Sequence, residues 1–239
     1  MSNSVYISSV LYYPPNLHRN HIRSICGELL NKKIAEVVWE EEIGLNNIPQ
    51  NKVIKMTKKK YVDSFFEDGT LKLGNFSYYN QYDHDEIGDQ AEGSFILVGQ
   101  SHSRTVIAEI GSGFNHYIFC CYTGNPDSEC MEKFGYDSGI IINNVKGFAN
   151  AISKQIKAKS YLFAKCVYNR DKVLIGKNEK DFNEISARLK NLTNNGKYFI
   201  KPDKYSNQSE FRFTWKMDSD INTPKIIRCP EAIQFCERL

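Results

Sequence analysis

No Gly-x-Gly-x-x-Gly loop and no Walker-type loop occurs anywhere in the 239 residues, which disfavours Rossmann and P-loop nucleotide binding. A Gly-x-Ser-x-Gly elbow is also missing, and with it the usual entry to serine hydrolase chemistry. The five histidines form no His-x-x-x-His pair, and His18 and His21 fit a polar helix face as well as a site. Seven cysteines are present, but none are spaced Cys-x-x-Cys, so a structural zinc is not expected. Purely apolar runs stay far short of the roughly 20 residues that cross a bilayer, and no membrane association is expected. The start, Met1-Ser-Asn-Ser, has no basic segment followed by an apolar one, so no secretion signal is expected either. Reduced thiols in a cytoplasm fit this cysteine usage best. Charge excess is small: 31 basic against 28 acidic side chains give +3, which permits an anionic substrate without demanding one.

What is plentiful is aromatic. Fourteen Phe and 14 Tyr, many of them in strand-like runs, favour a β-rich interior where broad side chains pack on a pleated surface. Strands are predicted near 53–56, 70–76, 94–99, 104–110, 116–122, 138–142, 160–168, 209–216 and 224–229. Between them fall a helix over 60–68 closed by Gly69, a helix capped by Asn144 with the stripe Val145, Phe148, Ala149, Ile152 and Ile156, and a helix over 179–192. Residues 17–38 keep roughly helical spacing, and 5–13 read as a strand or extended arm stopped by proline. Strands dominating the second half argue for α+β with mostly antiparallel sheets. The expected organisation is an arm and helical layer over 1–51 on a main body over 52–239, together one structural domain.

Three regions carry polar groups that invite chemistry. In Gln208-Ser209-Glu210-Phe211-Arg212-Phe213-Thr214-Trp215-Lys216 the alternation puts Phe211, Phe213 and Trp215 on one face and Glu210, Arg212, Thr214 and Lys216 on the other. A half-buried strand with a solvated outer face accounts for that pattern. So does a site, because Gln208 and Glu210, two residues apart, would share the polar face. Such a pair can hold ribose hydroxyls, and the carboxylate can stabilise an oxocarbenium-like transition state. The second region, Lys55-Met56-Thr57-Lys58-Lys59-Lys60-Tyr61, offers a cation and a hydroxyl at a strand end, with Tyr78-Tyr79 following. A solvated lysine face and core tyrosines are the plain alternative. Third is Asp83-His84-Asp85-Glu86-Ile87-Gly88-Asp89-Gln90-Ala91-Glu92-Gly93. It fails the EF-hand pattern at Ile87 and Ser94, and reads as an acidic turn in which Asp89 and Glu92 bind nearby backbone amides.

Taken in order, the basic strand at Lys55, Tyr61 with Phe-Phe-x-x-Gly-x-Leu-x-Leu-Gly, Tyr78-Tyr79, Gly88-Asp89-x-x-Glu92-Gly93 and the late Gln208-x-Glu210 resemble bacterial and prophage ADP-ribosyltransferase-like proteins. The toxin-type members used in phage defence, some of which modify nucleic acid, look most similar. The resemblance runs patchily over residues 52–216. It implies a split two-sheet core that binds NAD as substrate, with Glu210 catalytic and Gln208 beside the acceptor. It also implies Lys55 and Thr57 at NAD, Tyr78 or Tyr79 against nicotinamide, and Tyr61 among the cofactor-binding residues. No metal is implied. Lys55 stands where many relatives have Arg or His, and Cys121-Tyr122-Thr123 is the nearest match to their middle-strand Ser-Thr-Ser. The acceptor would be a macromolecule, RNA or DNA ahead of protein, and an antitoxin protein is a further expected partner. Two other readings stay open: NAD hydrolysis with water as acceptor, and a non-catalytic module that grips single-stranded nucleic acid by stacking and phosphate contact.

Overall fold

The computed structural model describes residues 5–7, 44–50, 52–81, 92–100, 105–111, 113–124, 128–168, 173–177 and 195–239. The predicted helices over 17–38 and 179–192 and the acidic segment 83–91 lie outside the described residues. The chain forms two compact units that alternate along the sequence. The larger takes Gly44–Glu92, Gly113–Cys166 and Tyr205–Leu239, the smaller Met1–Ile43, Gly93–Ser112 and Val167–Lys204. It is a mixed α/β protein with few helices and mostly antiparallel strands.

In the larger unit the elements run β1 (Val53–Thr57), α1 (Lys59–Asp68), β2 (Thr70–Asn75), α2 (Phe76–Gln81), β3 (His116–Thr123), α3 (Ser128–Phe134), β4 (Ser138–Ile142), α4 (Val145–Ile156), β5 (Ser160–Lys165), β6 (Glu210–Lys216), β7 (Lys225–Arg228) and β8 (Cys236–Arg238). The strands make one sheet in the order β7-β2-β3-β1-β4-β8, with β6 pairing β3 and β5 pairing β6. Every pairing in it is antiparallel. The smaller unit holds a four-stranded sheet in the order Val5–Ile7, Thr105–Gly111, Ser94–Gln100, Val173–Lys177 and a two-stranded pair of Val167–Tyr168 with Ile200–Lys201. There the two outer strands of the four run parallel to their neighbours, as does the two-stranded pair.

The local signals act where the sequence places them. Gly69 turns left-handed (φ 77°), and its N–H donates to Phe65 O, which closes α1. A Cβ there would lie 2.3 Å from the Cys229 carbonyl carbon, so only glycine fits. Asn144 caps α4 by accepting from Gly147 N at 2.8 Å, and all five residues of its expected stripe are buried.

That stripe meets one face of the sheet. Register puts Phe211 beside Cys121, Phe213 beside Phe119 and Phe163, and Trp215 beside Tyr117 and Tyr161. Phe148 of α4 packs on Phe119 and Phe213 with ring centroids 5.7 and 5.4 Å away, and the Trp215 indole donates to Ala149 O. Each such side chain contributes about 1.5–3 kcal/mol by leaving water. This is the main core, and the alternation of β6 predicted it.

The other face of β6 departs from expectation. Glu210, Arg212 and Thr214 are buried too, and only Lys216 is exposed. The solvated outer face predicted for this strand is therefore absent. Three further expectations change. Phe76 opens α2 rather than ending a strand, so Tyr78 and Tyr79 are helical. The stretch 160–168 breaks at Cys166, with the two parts in different sheets. Gln208 ends a 3₁₀ turn, Asp203–Gln208, and does not lie on the strand.

Candidate active site

A fork in the sheet organises the polar face. On one edge β3 pairs β6 continuously from His116 to Tyr122. On its other edge it pairs β2 at Tyr117 and Ile118 and β1 at Tyr122 and Thr123. Those two strands diverge, and among the described residues no strand pairs with 119–121 on that edge. Lys55 fills the gap: its Nζ donates to Cys120 O at 3.0 Å and lies 5.1 Å from the centroid of the Phe119 ring. Burial pulls the Lys55 pKa down, yet the acidic groups of Tyr136, Cys121, Cys120 and Glu210 outweigh it and hold the ammonium above its ordinary value. Lys55 stays charged at neutral pH.

Glu210 begins β6 on constrained backbone. Ser209, the residue before it, has φ 41°, a left-handed conformation that costs a non-glycine residue of order 1–3 kcal/mol. Its carbonyl accepts from both the amide and the hydroxyl of Thr123, each at 3.0 Å, and the Glu210 carbonyl accepts from Cys166 N at 2.8 Å. Both neighbours thus pin the position from which the Glu210 side chain departs. The left-handed turn also undoes the expected pairing of Gln208 with Glu210 on one strand face, because Ser209 is not extended. Gln208 is buried within the 3₁₀ turn.

Beside Glu210 stands a residue that the sequence reading passed over. Arg212 is 1% exposed and shares the Glu210 face of β6. Its Nε donates to Glu210 Oε1 at 2.8 Å, while Nη1 and Nη2 grip Glu92 Oε1 and Oε2 at 2.8 and 3.2 Å. The Phe76 ring covers the guanidinium, with Cζ 5.8 Å from its centroid. Burial opposes this charge, but Glu210 and Glu92 hold the Arg212 pKa well above its ordinary value. Glu92, expected to bind backbone nearby in the acidic turn, reaches a partner 120 residues away, and the segment 83–91 of that turn lies outside the described residues. The opposite charges of Glu210-x-Arg212 on alternate strand positions were a readable signal. The third member was not.

Tyr79 completes the group. Its ring lies against Gly74, where a Cβ would fall 2.5 Å from Tyr79 Cε2 and 2.8 Å from the hydroxyl oxygen. Burial pushes its phenol well above the ordinary range, Cys120, Glu210 and Tyr136 add to that, and Arg212 opposes it. The hydroxyl stays protonated at neutral pH and can donate a hydrogen bond. Of the expected site residues, then, Lys55, Tyr79 and Glu210 interact electrostatically around the fork. The others stand differently. Tyr61 is 54% exposed on α1 with Lys60 Nζ 4.9 Å from its ring centroid, and Tyr78 accepts from Lys72 Nζ at 3.2 Å. Thr57 ends β1 opposite Ser138.

Among the described residues no cluster of three or more His, Cys, Asp or Glu side chains suits a metal ion, and no helix is long and apolar enough to cross a membrane. Cys120, Cys121, Cys166, Cys229 and Cys236 are free thiols. No family model, no curated protein and no solved structure matches the chain.

Proposed function

We propose that the protein is an NAD-dependent ADP-ribosyltransferase, a toxin or phage-defence effector that transfers ADP-ribose to a macromolecule, nucleic acid ahead of protein. The observation that carries this reading is Glu210, an ion-paired carboxylate on strained, pinned backbone, held at a fork where Lys55 brings a fixed cation. Strain is retained where the surrounding structure over-determines it, and functional sites are where it concentrates.

In this reading NAD is the substrate. The bond between ribose C1′ and the nicotinamide nitrogen breaks, and its electron pair stays on the nitrogen and neutralises the pyridinium. Positive charge develops on C1′ and the ring oxygen, and the Glu210 carboxylate stabilises it from a low-dielectric surrounding. The acceptor's oxygen or nitrogen then bonds to C1′ and releases its proton to water. Lys55 answers the diphosphate charge, and Tyr79 offers an aromatic face and a hydroxyl donor. The exposed Lys58, Lys59, Lys60 and Tyr61 supply charge and a stacking surface suited to a nucleic-acid acceptor.

Those exposed groups also favour the second reading, a binding module for single strands that breaks no bond. Incubating the protein with NAD and candidate RNA, DNA and protein acceptors, then weighing each by mass spectrometry, separates the cases. A gain of one ADP-ribose on an acceptor supports transfer. Free ADP-ribose alone means hydrolysis, and intact NAD with retained strand binding supports the module.

A further inference from the structure

The sheet face that carries Glu210 and Arg212 continues outward across two more strands. Leu71 and Leu73 of β2 lie in the main core, so Lys72 between them points to the opposite face. Register ties that face together: Arg212 stands opposite Cys120 on β3, Gly74 of β2 opposite Ile118, and Ile226 of β7 opposite Lys72. Two strand spacings and two residues along the chain separate Lys72 from Glu210, a distance on the order of 10 Å. Helix α1 lies on the other side of the sheet, with Val62 and Phe65 in the core.

At the rim of this face a cation and a ring sit together. Lys72 is exposed, and its Nζ lies 4.5 Å from the centroid of the half-buried Tyr78 ring. Tyr78 meets Tyr79 edge-on, with centroids 5.4 Å apart, and Tyr79 leads back to Gly74 beside the fork. Ile226, next to Lys72, is 71% exposed although apolar. Arg228 shares the face of Ile226, exposed and ion-paired through Nε to Asp68 at 2.8 Å. An exposed ammonium on a ring is held less strongly than a stacked base, so a base can take its place while Lys72 turns to a phosphate.

We propose that Lys72, Tyr78 and Ile226 form the docking surface for a single-stranded nucleic-acid acceptor. A base stacks on Tyr78 and against Ile226, a neighbouring phosphate pairs with Lys72, and the strand leads over Tyr79 towards Glu210. The acceptor role rests on the transfer reading above, whereas the docking itself needs no NAD.

The test measures binding of a fluorescein-labelled single strand of mixed sequence, as RNA and as DNA, to the full chain by anisotropy over a salt series. Lys72→Ala should weaken binding and lower the salt slope by about one. Tyr78→Ala should weaken it roughly tenfold, with Tyr78→Phe close to wild type and Tyr61→Ala, on α1, costing less. Lys72 and Ile226 are exposed, so Lys72→Ala and Ile226→Ser decide the matter should Tyr78→Ala fail to fold. Wild-type affinity and salt slope in folded Lys72→Ala overturn the inference. So does a polyglutamate competitor that displaces the strand as well as unlabelled oligonucleotide does, or an Ile226→Ser variant that loses self-association in sedimentation while strand affinity stays unchanged. A wild type that binds strands through these residues yet releases no nicotinamide from NAD upholds the surface and overturns the transfer reading. One that releases nicotinamide and binds no strand does the reverse.

Discussion

Replacing Arg212 with Met removes the guanidinium that Glu92 and Glu210 share and leaves both buried carboxylates without it. Arg212 makes three charge-assisted bonds there at 1% exposure, so solvent cannot compensate for their loss. Breaking a buried pair from one side costs about 3–5 kcal/mol, and at roughly 2–4 °C per kcal/mol for a chain of this size the unfolding temperature should fall by about 6–20 °C. Lys55 softens this only in part, because its ammonium is committed to Cys120 O. Scanning calorimetry of the wild type and the variant reads the loss. Replacing all three network residues with apolar ones of similar size should recover most of the loss. A deficit below about 1 kcal/mol at neutral pH would refute the reasoning, since breaking a buried ion pair from one side cannot cost so little.

Lys55→Ala should weaken NAD binding by roughly tenfold to a hundredfold, the worth of a charge-assisted contact, and calorimetric titration of the folded variant checks it. Alkaline pH should destabilise the protein. The Lys55 contribution is present below its unfolded value near 10.5 and lost as pH rises through the higher folded value, and the raised Tyr79 phenol disfavours folding above about 10. Tyr79→Phe should flatten that alkaline loss in a urea series. Gly74→Ala should cost about 1–3 kcal/mol by driving a Cβ into the Tyr79 ring. Gly74→Ala combined with Tyr79→Leu should regain most of it, as paired denaturation curves would show.

Local rules carried much of this architecture in the sequence. The Gly69 stop, the Asn144 cap and the alternation of Phe211, Phe213 and Trp215 each depend on residues close in the chain, and each forms as read. The polar face of β6 was legible as a period and not as an environment. Alternation says which side chains share a side, while burial of Arg212 depends on Glu92 and Phe76, which arrive from 120 and 136 residues away. The fork at β3 was equally out of reach, since it arises from where β1 and β2 each stop pairing. Gln208 failed for a local reason of another kind. A single left-handed serine, a residue with no strong signal for that conformation, starts the strand at Glu210 and leaves Gln208 in the turn before it.

The central claim, that Glu210 promotes cleavage of NAD at the forked sheet, is tested most directly by nicotinamide release from NAD by wild type and Glu210→Gln. Because Glu210 is buried in an ion pair, the variant should also be less stable, so both are compared at a temperature where each is folded. The account predicts measurable release by wild type and a fall on the order of 10²–10³ in kcat for the variant, the loss of one preorganised electrostatic group. Equal release by folded wild type and folded Glu210→Gln would contradict it.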